Sequence, residues 1–181
     1  MSNIKVLLEG FAFLEAPRWR DGKLWFSDFY DHRVLAMDPG GQTEIICEVP
    51  QQPSGLGWLP DGRLLVVSMI DRRVLRLESE GLVEHADLSD LATFHCNDMV
   101  VDDQGRAYVG NFGSDLAAGG LPEPAALILV TPDGHSRVVA EDLLFPNGSV
   151  ITPDGRTLIV GESFGARMTA FDIAPDGSLS N

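Results

Sequence analysis

The chain has 181 residues and a net charge of −14, from 27 Asp and Glu against 13 Lys and Arg. With 44% hydrophobic and 22% charged residues it is a globular chain, long enough for one domain with a sizeable core. The acidic surplus repels a nucleic-acid backbone and an anionic membrane surface, so neither is an expected partner.

The opening residues, MSNIKVLLEG, lack the basic stretch and long apolar run of a secretory signal. The longest clean apolar run, Ala125 to Val130, is too short to span a bilayer. Cys47 and Cys96 are the only cysteines and form no CxxC, which argues against a zinc-thiolate site or a disulfide framework and for a reducing, cytoplasmic setting.

Going along the chain, Ile4 to Glu9 reads as a strand. Its Val6-Leu7-Leu8-Glu9 resembles Val138-Val139-Ala140-Glu141, the outer strand of a later unit. It is therefore expected as an outer strand that completes a last blade and closes a ring. Four segments then share one pattern: EAPRWRDGKLWFSD, SGLGWLPDGRLLVVS, NDMVVDDQGRAYVGN and NGSVITPDGRTLIVGE. Their turn glycines, Gly22, Gly62, Gly105 and Gly155, are spaced by 40, 43 and 50 residues. The last spacing is long because AAGGLPEP (117–124) is inserted as a loop.

In the second unit, Gly55–Leu59, Arg63–Ser68, Arg73–Glu78 and Leu82–Leu88 read as strands punctuated by Asp61-Gly62 and Glu80-Gly81. No segment carries a long 3.6-residue period. The pattern predicts an all-β propeller of four-stranded antiparallel blades at 15–49, 50–90, 91–144 and 145–181. The final residues, Asp176 to Asn181, fall where the fourth blade's outer strand should begin. A four-bladed ring closed by residues 4–9, or part of a larger ring, both satisfy this arithmetic.

Inner strands line a propeller's channel, so equivalent positions converge on its axis. Ser54, Asn97 and Asn147 each lie eight residues before a turn glycine and Glu15 lies seven before. The two amides and the carboxylate are hard oxygen donors suited to Ca²⁺, Mg²⁺ or Mn²⁺, with Zn²⁺ tolerated. His95, two residues before Asn97, is a candidate to orient a substrate or carry a proton, and Asp98 a candidate to steady Asn97 from behind. Asp21, Asp61 and Asp154 belong to turns, and Trp19, Trp25 and Trp58 to core packing. No GxSxG elbow, P-loop, GxGxxG or HExxH occurs.

With these residues in view, the sequence resembles the senescence marker protein (regucalcin), gluconolactonase and luciferin-regenerating enzyme family. The pieces that carry the resemblance are LEAPRW (14–19), CNDMVVDDQGRAYVGNFG (96–113), FPNGSVITPDGRTLIVGESFG (145–165) and MTAFDIAPDGSLSN (168–181). The resemblance implies a six-bladed propeller holding one divalent metal in its channel. It also implies hydrolysis of sugar lactones by a metal-activated water that attacks the lactone carbonyl. Glu15 and Asn147 match metal ligands, and Asn97 matches a residue that touches the metal, its water or the substrate. His95 stands where some members carry a substrate-binding Arg. The remaining ligand, an Asp and the favoured general base, belongs to a later repeat. At ~43 residues per blade six blades need roughly 260 residues, so the chain is expected to be the N-terminal part, with open blade edges that invite self-association. A non-enzymatic binding propeller and a metal-dependent esterase or organophosphate hydrolase are the competing readings.

Overall fold

The computed structural model describes residues 4–181. They form four antiparallel sheets in a propeller arrangement, and within each sheet the strands follow chain order. Blade 1 holds β1 (Leu14–Arg20), β2 (Lys23–Asp28), β3 (Arg33–Met37) and β4 (Thr43–Glu48). Blade 2 holds β5 (Pro53–Trp58), β6 (Leu64–Ser68), β7 (Arg73–Glu78) and β8 (Gly81–Asp87). Blade 3 holds β9 (Cys96–Val101), β10 (Ala107–Asn111), β11 (Ala125–Val130) and β12 (Ser136–Leu143). Blade 4 holds β13 (Pro146–Ile151), β14 (Thr157–Glu162), β15 (Arg167–Ile173) and β16 (Leu179–Ser180). Among the described residues no helix is long and apolar enough to cross a membrane.

Local chemistry explains the hairpins. Asp21 and Gly22 both take left-handed φ values, 50° and 76°, the geometry a tight two-residue turn demands. The Asp61 carboxylate accepts the Arg63 N–H, and the Asp154 carboxylate accepts the Arg156 N–H. Each short acid thus satisfies backbone that the turn leaves unpaired.

The core sits between the blades. Ala16 and Val34 of blade 1 meet Leu56, Leu64 and Val66 of blade 2, with Trp25 and Trp58 edge to face at 5.4 Å. Leu65, Val67 and Val74 of blade 2 meet Met99, Val109 and Ile128 of blade 3. Tyr108, Leu127 and Leu129 of blade 3 meet Leu158, Val160 and Phe171 of blade 4. The Tyr108 hydroxyl donates to the Gly177 carbonyl, and Arg106 spans the same seam to the Pro175 carbonyl. Inner strands β5 and β9 approach closely because β5 is glycine-rich. A Cβ on Gly55 would lie 2.4 Å from the Met99 nitrogen, and one on Gly57 would lie 2.2 Å from Val101.

Two expectations need correction. Residues 4–9 form no strand. The outer place in blade 4 is held by β16, whose Ser180 pairs with Asp172, so no four-bladed ring is closed from the N-terminus. Instead Leu8 and Phe11 lie against Phe26, Leu35 and Met37, on the face of blade 1 turned away from blade 2. Trp19, expected in the core, is 66% exposed. It follows the strand alternation onto the side of β1 that no neighbouring sheet covers.

Candidate active site

The inner strands bring four of the sequence-phased residues together. Glu15 (β1), Ser54 (β5), Asn97 (β9) and Asn147 (β13) line one cavity of about 310 Å³ at the axis. A run of hydrogen bonds passes from blade to blade beneath them. Ser27 Oγ donates to the Ser54 carbonyl at 2.7 Å, Ser54 Oγ to Asn97 Oδ1 at 3.4 Å, and Asn97 Nδ2 to the Pro146 carbonyl at 3.5 Å. Asn97 is thereby oriented from both sides. Its amide oxygen faces the Ser54 hydroxyl, and a carbonyl oxygen retains a second lone pair for a ligand.

Asp98 faces away from Asn97's partners. Its carboxylate pairs with Arg18 at 2.7 Å, and the same guanidinium donates to the Met99 carbonyl, tying blade 1 to blade 3. Burial raises the Asp98 carboxyl above its ordinary value, while Arg18 and the Met99 and Ser149 N–H groups pull it back. Burial also raises Glu15, and the neighbouring Asp98 charge adds to the effect, against a smaller pull from the Ala16 N–H.

Among the described residues no cation pairs with the Glu15 carboxylate, since Arg18 is committed to Asp98. Among the described residues no group of three His, Cys, Asp or Glu forms a metal cluster. The donor set is instead one carboxylate, two amides and a hydroxyl, all oxygen. That chemistry fits a hard divalent cation and does not favour a thiolate- or imidazole-seeking one. Glu15 also borders an apolar hollow beneath the N-terminal segment, with Leu7, Leu8, Leu24 and Phe26. That hollow supplies no second polar side chain and so no chemistry.

His95 does not line the axial cavity. It stacks on Phe94 at 4.0 Å and lines a neighbouring depression with Ile70 and Arg72. Phe112 meets its edge at 6.1 Å and faces the cavity itself. Burial lowers the His95 imidazole below its ordinary value, with Asp115 opposing and Arg72 reinforcing that shift.

Sequence reasoning missed a second tier. Two residues before each of the four phased positions stand Phe13, Gln52, His95 and Phe145. The carbonyl of each accepts the backbone N–H of the residue just beyond the second strand: Phe13 from Phe29, Gln52 from Met69, His95 from Phe112 and Phe145 from Ser163. Phe13, Phe29, Met69, Phe112 and Phe145 form the upper wall of the cavity, with Tyr30. Buried polar residues at the ends of the second strands clamp these loops. Asp28 accepts the Ala12 and Phe13 N–H groups, Asn111 the Thr93 hydroxyl and Gly113 N–H, and Glu162 the Leu144 N–H. The available signal was the shared last position of the repeats, Asp28, Ser68, Asn111 and Glu162.

The SMP-30/Gluconolactonase/LRE-like region matches residues 13–181. This chain belongs to that family. Among curated proteins, lactonase drp35 of Staphylococcus saprophyticus is 28% identical over 144 residues, 75% of this chain and 42% of that one. A gluconolactonase from Xanthomonas campestris superposes with a TM-score of 0.78 at 24% identity, over 97% of this chain and 62% of the other. A calcium-binding protein, regucalcin, of Agrobacterium tumefaciens gives 0.80 at 19% identity, over 97% and 60%. These structural likenesses establish the propeller fold of the family. The chain spans about two-fifths of the curated relative and about three-fifths of the two solved ones.

Proposed function

We propose that the chain carries part of a metal-dependent lactone hydrolase site. The observation that supports this reading is the convergence of Glu15, Asn97 and Asn147 on one axial cavity, in a member of a family whose relatives include a named lactonase. Glu15, Asn97 and Asn147 would hold the divalent cation, with Ser54 beside them. When bound, the cation supplies Lewis acidity to a lactone carbonyl.

The chain's own residues do the rest. Asn97, held between Ser54 and the Pro146 carbonyl, presents its amide to the bound ester without reorganising. The ionised Glu15 matches positive charge at the floor of the site. The aromatic upper wall gives the space above that floor an apolar lining. In the net reaction water adds to the carbonyl carbon, the ring C–O bond breaks, and a hydroxy acid leaves.

The test is thermal unfolding and lactone hydrolysis with Ca²⁺, Mn²⁺ or chelator, for the wild type and Glu15→Gln. A cation at 100 times its Kd should add about 2.7 kcal/mol of stability. Both that shift and the hydrolysis should vanish in the variant. A Glu15→Gln protein with unchanged shift and turnover would falsify the assignment.

A further inference from the structure

We infer that the site takes lactones with a flat apolar body, aryl-substituted or aryl-fused, in preference to polyhydroxylated sugar lactones. The inference rests on the lactonase reading and concerns the part of the substrate away from the carbonyl.

The cavity has two tiers of different chemistry. The floor is polar: Glu15, Ser54, Asn97 and Asn147. The wall above it is Phe13, Phe29, Met69, Phe112 and Phe145, with Tyr30 supplying the one hydroxyl at that level. A sugar lactone carries a hydroxyl on most ring carbons. Against phenyl or thioether surface most of these would lose water without gaining a partner. An aryl group meets instead the faces and edges that aromatic rings prefer.

The wall is built, not incidental. Phe112 and Phe145 lie 4.6 Å apart in a tilted pair, and Phe164 meets Phe145 edge-on at 5.3 Å. Across the cavity Phe13 lies 5.6 Å from Phe29, which packs on Tyr30 at 4.4 Å. Phe145 holds a φ of 56°, a left-handed backbone that a bulky side chain adopts only when its surroundings enforce it. Here the Ser163 N–H on its carbonyl and the flanking rings do so, and the ring is aimed into the cavity. His95, the candidate for substrate contact that the spacing pointed to, stacks on Phe94 and does not line the cavity.

The experiment compares kcat/KM for a phenyl-substituted δ-valerolactone and for glucono-δ-lactone, using the 181-residue chain with added Ca²⁺ or Mn²⁺. The phenyl lactone should be favoured about tenfold or more, the scale that apolar pocket contacts provide. Phe112→Ala should erase most of that ratio by slowing the phenyl lactone more than the sugar lactone. Phe112→Leu, which keeps apolar volume but loses the flat face, should lie between and guards against a variant that fails to fold. Preference for glucono-δ-lactone, or an equal loss on both substrates in a folded variant, overturns the inference and leaves the lactonase reading standing. Hydrolysis of neither lactone with any cation overturns both.

Discussion

Strands β6 and β14 occupy the same place in their blades and carry similar apolar sequences, yet they are buried differently. Leu64 to Ser68 is buried at every residue, because blade 2 has a sheet against each face. From Thr157 to Glu162 burial alternates, because blade 4 packs on blade 3 and leaves its other face open. Leu158 and Val160 are fully buried, while Val150 and Met168, on the far side of that blade, are 58% and 82% exposed. Blade 1 is the intermediate case: Leu8 and Phe11 partly cover its outward face. In this architecture a residue's burial is set by the next blade, not by its own strand.

Mutations should reproduce that gradient. Leu65→Ala, in the seam between blades 2 and 3, opens a cavity walled on all sides and should cost about 3 kcal/mol by denaturant unfolding. Arg18→Met leaves the Asp98 carboxylate buried without its partner, and should cost about 2 kcal/mol after allowing for the partial exposure of Arg18. That variant asks whether blade 1 is anchored at the axis as well as through its face. Phe11→Ala removes a half-buried ring that meets Phe26 edge-on at 5.6 Å, and should cost about 1 kcal/mol. Met168→Ala should fall within about 0.5 kcal/mol of wild type. A Met168→Ala loss as large as that of Leu65→Ala would mean the outward face of blade 4 is covered in solution.

The smallest effect is a pH dependence at the seam between blades 2 and 3. Arg76 donates to His85 Nδ1 at 2.9 Å, so the proton sits on Nε2 and is donated to the Thr131 carbonyl at 3.2 Å. Burial lowers the His85 pKa, reinforced by the Arg76 and Arg63 charges and opposed by Thr131 and Asp133. The unfolded chain takes up this proton before the folded one does. The stability His85 contributes is therefore present above about 6.5 and is lost progressively as pH falls from there through the lower folded value. His85→Gln should flatten the stability profile between about pH 7 and 5. A wild-type profile no steeper than the variant's would remove His85 from the account.

Much of this was legible in the sequence because it depends on period and spacing. The strand positions of the second blade are recovered within two residues, since Asp61-Gly62 and Glu80-Gly81 fix the turns and alternation fixes the faces. Glu15, Ser54, Asn97 and Asn147 could be grouped because equal phase in a repeat becomes equal position about an axis. Trp19 was misjudged for the opposite reason. Its strand and facing side were readable, but whether a sheet lies against that side was not.

The sequence by itself determined the blades, their turns and the set of polar residues that meet at the centre, all consequences of local pairing and repeat phase. Tertiary structure alone decided three things. It gave Asp98 to Arg18 rather than to Asn97, turned His95 onto Phe94, and raised an aromatic wall from loops of different blades. Those outcomes depend on contacts between residues far apart in sequence, 80 positions for Arg18 and Asp98, and no local pattern encodes which side chain fills the space that a neighbouring blade leaves.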